Sequence, residues 1–219
     1  MIARVVKVII LFLSIFFTHA QDKDLQSWHN FELGYKPISN LSLTLNNGVR
    51  FVEDVSEVSR YFIDFNIKRK HSKFLSYSLG YRHLFDVSGG DDATYIHRKE
   101  RWYLDTYLKQ SVFKNMKFSS RTRFQSQRSV TFFNHADIKN KLRQRCKFSY
   151  NFNKLDLYAF LSIEAFFLLD DNVEKLRYQI GCLKSISKRT NLSLSYMIQK
   201  DLINADVFSV LRSKLSYEF

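Results

Sequence analysis

The sequence predicts an all-β fold: an antiparallel transmembrane β-barrel of about 10–12 strands, preceded by a cleaved signal peptide. Three observations predict it. Apolar and polar residues alternate with a period of two from Leu25 to Phe219. The alternating segments run about 10–14 residues, longer than the ~5–6 usual in globular strands and long enough to cross a bilayer at a tilt. Beyond residue 20 no apolar run reaches the ~18 residues of a spanning helix, so a chain in the membrane must close into a barrel to satisfy its backbone.

Composition narrows the class. With 45% hydrophobic and 16% aromatic residues, there is ample surface to bury, which excludes a disordered chain. One proline, six glycines and two cysteines exclude collagen-like and disulfide-scaffold classes. A length of 219 residues suits one barrel domain.

Residues 1–20 read MIARVVKVIILFLSIFFTHA: a basic start at Arg4 and Lys7, an apolar stretch over 8–17 and small residues at Thr18 and Ala20. That is the layout of a secretory signal peptide cleaved before Gln21, and the stretch is too short for a membrane anchor. No cysteine follows it, which disfavours a lipoprotein. Cleavage removes two cations and lowers the net charge from +13 to +11. The expected domains are therefore a signal peptide at 1–20 and an outer-membrane barrel at 21–219.

Eleven segments follow, near 25–36, 41–52, 60–70, 74–86, 98–110, 115–128, 138–151, 155–168, 173–185, 190–200 and 205–219. In the second, Leu41, Leu43, Leu45, Val49 and Phe51 interleave with Ser42, Thr44, Asn46, Gly48 and Arg50. The third, fourth and tenth alternate as clearly, giving each strand one apolar and one polar face. Connections at 36–40, 71–73, 152–154 and 185–189 are short, and those at 53–59, 87–97, 129–137 and 169–173 are longer and more polar. Short turns at one end and long loops at the other match an outer-membrane barrel. The lone proline, Pro37, falls in a short turn, where its missing N–H does no harm. A soluble sandwich would also alternate. Against it stand the strand lengths and the aromatics at the ends of the apolar face: Tyr35, Phe51, Tyr61, Phe85, Trp102, Tyr150, Phe167 and Tyr217. Bacterial barrels are normally even-stranded, so eleven segments imply one misjudged segment or a weak strand hidden in 87–100 or 126–140.

Several strings occur in a fixed order: Trp28 with Phe31-Glu32, Gly80-Tyr81-Arg82, and Arg121-Thr122-Arg123-Phe124 before Leu142-Arg143-Gln144-Arg145. Then come SIEAFF at 162–167, LRYQIG at 176–181 and LSYMIQ at 194–199. Together they resemble the bacterial family called domain of unknown function 2490, over essentially the whole mature chain. The resemblance implies an outer-membrane β-barrel of the kind found in Bacteroidetes-type bacteria, and it implies no activity.

Polar parity turns a basic set inward, and Arg82, Arg121, Arg123, Arg143, Arg145 and Arg177 are the candidate binding residues of this wall. The inward acids are Glu32, Asp64, Asp105, Asp156 and Glu164, with Asp156 and Glu164 the expected partners of the arginines on 115–128 and 138–151. One reading is a structural ion-pair network. That reading is preferred, because buried charges need partners; the other is a wall that attracts anionic solutes or lipid headgroups, which the excess of base keeps open. Phe62, Tyr103, Tyr107, Tyr158 and Phe160 also point inward, so a wide pore is not expected.

The function expected is a narrow channel or binding barrel for small anionic solutes or lipids, without enzymatic turnover and without a cofactor. A lipid hydrolase or a structural surface barrel is the alternative. Of the mature histidines, His97 and His135 fall in expected loops, and none of the five has a serine placed by period on an adjacent strand with an acid behind it. No GxSxG, HExxH, P-loop or GxGxxG occurs, and no zinc spacing. The charge alone does not make a nucleic-acid module. The expected partners are outer-membrane lipids and the insertion machinery, the latter through the terminal strand and Phe219, with the barrel monomeric. Cys146 and Cys182 have outward parity with one strand between them, so free thiols are expected.

Overall fold

The computed structural model describes residues 24–90, 93–130, 138–169 and 173–219. The expected signal peptide, and His135 with most of the 129–137 loop, lie outside the described residues. The rest is a closed barrel of eleven strands. They are β1 (Leu25–Ile38), β2 (Leu41–Val52), β3 (Glu57–Lys70), β4 (Leu75–Gly90), β5 (Ala93–Phe113) and β6 (Met116–Val130). Then follow β7 (Ile138–Phe152), β8 (Leu157–Leu168), β9 (Val173–Ser185), β10 (Thr190–Asp201) and β11 (Val207–Glu218).

Each strand pairs antiparallel with its chain neighbour. Closure is different: β1 and β11 pair in parallel, from Leu25↔Ser209 to Gly34↔Glu218. The even count expected of such barrels therefore does not hold. With an odd number, the first and last strands run the same way, and a parallel ladder joins them. No twelfth strand lies in 87–100 or 126–140 among the described residues. The supposed loop at 87–97 is instead a continuation of β4 and β5, whose register runs on to Gly90↔Ala93, and His97 is a strand residue opposite Asp86. Asp156 also departs from expectation. It follows the 3-10 turn Asn153–Leu155 in a left-handed conformation (φ 47°) and is exposed there, so the turn removes it from the inner wall.

The distribution of apolar surface inverts that of a soluble protein. Leu104 is 57% and Leu161 52% exposed on the outside, whereas Asp105 is 2% exposed on the inside. Outward aromatics cluster toward both ends. Tyr61 stacks on Phe85 at 4.7 Å and Tyr81 lies 4.7 Å from Trp102 near the long loops. Tyr150 with Phe152 and Tyr217 with Phe219 sit near the short turns. These are the two interfacial belts of a spanning barrel. Cys146 and Cys182 are free and stand on either side of β8, opposite Ile163 and Ala159.

The inner wall is shaped by three glycine–aromatic pairs. Gly48 lies opposite Phe62, Gly80 opposite Tyr103 and Gly181 opposite Phe160. Each ring leans over its glycine, and a Cβ there would collide with it. The missing side chains let the rings lie along the wall, leaving the middle of the barrel to the charged groups.

Candidate functional site

The lumen holds a cavity of about 600 Å³. Ten arginines and four lysines line it against four carboxylates, Glu32, Asp64, Glu164 and Glu174. Strand parity puts them there: the inward positions of β6 and β7 alone supply Arg121, Arg123, Arg143, Arg145, Lys141 and Lys147. All six expected binding residues face this space.

Part of the charge is paired. Asp105 accepts two hydrogen bonds from Arg123, at 2.6 and 2.7 Å, and one from the Tyr107 hydroxyl at 2.7 Å. Asp64 accepts from Arg82 at 2.5 Å and from the Tyr103 hydroxyl at 2.7 Å. Glu164 is shared among Arg121, Arg143 at 2.9 Å and Arg177 at 3.9 Å. Asp156 plays no part, and Asp105, on the neighbouring β5, takes the role expected of it by holding Arg123. Aromatic faces carry cations as well: Arg123 lies 3.6 Å from the Tyr103 ring centre, Arg82 4.1 Å from Phe62, and Phe166 sits between Arg143 and Arg177 at 4.3 and 4.5 Å.

The remainder is not paired with acid. Among the described residues, Arg50 has a Trp28 face at 3.8 Å, Arg101 has Gln127 at 3.0 Å, and Arg212 has Gln179 at 3.3 Å. Lys147 has the Phe160 face at 3.8 Å, and among the described residues Arg145 makes no hydrogen bond or ion pair, its counter-charge being the shared Glu164. The wall thus combines an ion-pair frame with cations left for something else to neutralise.

Sequence reasoning overlooked Arg60, Arg101, Lys141 and Lys175. Arg60 and Arg101 share inward parity with Phe62 and Tyr103, so the period was sufficient to find them. It also missed a pair on the outer wall. His29 is opposite Ser213 across the parallel closure, with Nδ1 2.7 Å from the Ser213 hydroxyl and Nε2 3.1 Å from that of Ser27. Their adjacency exists only because β11 returns to β1.

Residues 25–207 match the family described as protein of unknown function DUF2490. The chain belongs to this family. Among solved structures this DUF2490 barrel is similar to the NanC porin, with 10% identity over 84% of this chain and 90% of that one, and a TM-score of 0.52. The β domain of the Bordetella autotransporter BrkA has 11% identity over 76% and 79% of the two chains, with a TM-score of 0.45. An anion-selective porin from Comamonas acidovorans has 12% identity over 83% and 53%, with a TM-score of 0.40. At such identities the first likeness bears on fold, and the fold is that of an outer-membrane barrel. No curated protein matches the sequence.

Proposed function

We propose that this DUF2490 barrel is a narrow, anion-selective channel of the outer membrane that passes small anionic solutes without turnover. The observation that carries the reading is the lumen itself, where fourteen cations face four carboxylates around one cavity. A wall of one sign in a low-dielectric tube concentrates counter-ions and excludes co-ions. The long charged side chains that reach in from every side keep it narrow. The signal-peptide reading of residues 1–20 supports export with cleavage before Gln21. A closed barrel leaves no free sheet edge, which fits a monomer. Phe219 ending an alternating strand fits recognition by the insertion machinery. The test is conductance of purified protein in planar bilayers under a salt gradient. A reversal potential on the anion side is expected; a cation-side potential, or a closed barrel under all voltages, overturns the reading.

The His29–Ser213 pair favours a second reading, hydrolysis of lipid at the outer wall. Among the described residues no carboxylate backs His29, whose other ring nitrogen meets Ser27. Labelling by a fluorophosphonate, abolished by Ser213→Ala, would establish this reading in place of the first.

A further inference from the structure

The cations without acid are not scattered. Arg145 stands directly between Arg121 and Glu164 in the strand register. Glu164 is in contact with Arg121, Arg143 and Arg177, so Arg145 shares it only at longer range and one carboxylate serves four arginines. The next inward residue on β7 is Lys147, and its strongest charged neighbours are Arg145, Lys214 and Arg212, all cations. Lys214 has Glu32 at 2.7 Å, while Arg212 has the neutral Gln179 amide at 3.3 Å and the Trp28 face at 5.6 Å, with no ion pair among the described residues. The Nε atoms of Arg121, Arg143 and Arg212 are shut off from solvent and have no partner. Arg121 and Arg143 are themselves more than nine-tenths buried. All of these groups line the same lumen cavity.

Buried charge without a counter-charge is costly, and several like charges around one space multiply that cost. A single halide would neutralise one of them and leave the N–H donors of the guanidinium forks poorly matched. An oxyanion with two or more charges and several oxygens meets both needs, because planar guanidinium forks bind such groups through paired charge-assisted hydrogen bonds.

We propose that the lumen holds a fixed site for a multivalent oxyanion of the phosphate type, clamped by Arg145, Lys147 and Arg212. It deepens the anion-channel reading, on which it rests for access from solution: the channel has a preferred occupant, bound at one place along the path. That occupant is inorganic phosphate or the phosphoryl group of a small solute.

The test uses the purified full barrel in detergent and follows thermal unfolding with added inorganic phosphate, against chloride at equal ionic strength. Phosphate should raise the melting temperature saturably and chloride should not. Arg145→Gln with Lys147→Gln should weaken the apparent phosphate affinity by about tenfold or more, the equivalent of one lost charge-assisted contact. The baseline melting temperature should hold or rise, since neither residue is in an ion pair. Lys147→Gln alone serves if the double variant does not refold. Equal shifts from phosphate and chloride, or a phosphate shift that survives the substitutions, overturn the site. Glycerol phosphate giving the same shift would identify the phosphoryl group as the recognised chemistry, and a shift from inorganic phosphate alone would confine the site to the free ion. The two readings fail separately. Anion selectivity with no phosphate shift sinks the site and leaves the channel. A phosphate shift in a barrel that never conducts sinks the channel and leaves the site.

Discussion

At the residue scale the two buried carboxylates Asp105 and Glu164 differ in how many cations they hold. Asp105 has one arginine, Arg123, joined by two hydrogen bonds. Glu164 has three. Removing Arg123 therefore leaves a buried carboxylate with no cation paired to it, which costs on the order of 3–5 kcal/mol. Removing Arg143 leaves Glu164 with two partners and relieves repulsion among the arginines. Arg123→Met should lower the unfolding temperature of the barrel markedly, and Arg143→Met should lower it by well under half as much. Urea titration in micelles checks the order; equal losses would show that the two carboxylates are equivalent. Gly80 supplies a second case. Gly80→Val puts a branched side chain where the Tyr103 ring lies, displacing its hydroxyl from Asp64, and overpacking of this kind costs about 1–3 kcal/mol. Gly89, with nothing near its Cβ position, should accept alanine without measurable loss in the same assay.

At the scale of strands, the alternation that reveals each element is local, so it was legible. Tyr61, Ile63, Phe65 and Ile67 face lipid as their period requires. The 87–97 stretch misled because Ser88, Gly89, Asp91 and Asp92 have the composition of a loop, although the flanking residues hydrogen-bond as a ribbon. Asp156 misled for the opposite reason. Its parity matches Tyr158 and Phe160, but it is itself left-handed at the end of the 3-10 turn, and β8 begins only at Leu157. Closure was illegible because it relates segments at the two ends of the chain, and no local pattern records that relation. With it went the His29–Ser213 contact. The pairing predicts which outward residues meet. Leu33→Cys with Tyr217→Cys, in a background lacking the native cysteines, should form a disulfide on mild oxidation, since these positions are directly paired. Leu33→Cys with Leu211→Cys should not. The native thiols stand one strand further apart than a disulfide permits, and alkylation of unreduced protein should modify both Cys146 and Cys182.

For the whole molecule, the cationic lumen was legible in outline, because parity assigned Arg82, Arg121, Arg123, Arg143, Arg145 and Arg177 to one surface. Which of them are neutralised was not, since that depends on how side chains reach across neighbouring strands. The parallel seam has a further consequence for connectivity. The start of β1 is tied to the turn after β2, where the Leu25 N–H meets Asp54, while the end of β11 reaches the opposite rim, where the Phe219 N–H meets the Gly34 carbonyl. In an even-stranded barrel the two ends share a rim, and a short linker could join them to permit new termini elsewhere. Here a joining segment must travel the height of the ten-residue ladder, roughly 33 Å at ~3.3 Å per residue. A ~4-residue linker reaches only about 14 Å. A permutant opened at the 114–115 turn and joined by so short a linker should fail to give a heat-modifiable band on gels, whereas one with a linker of ~15 residues should recover it. The odd strand thus makes this barrel directional in a topological sense, with a head and a tail that only a linker as long as the barrel is tall can splice.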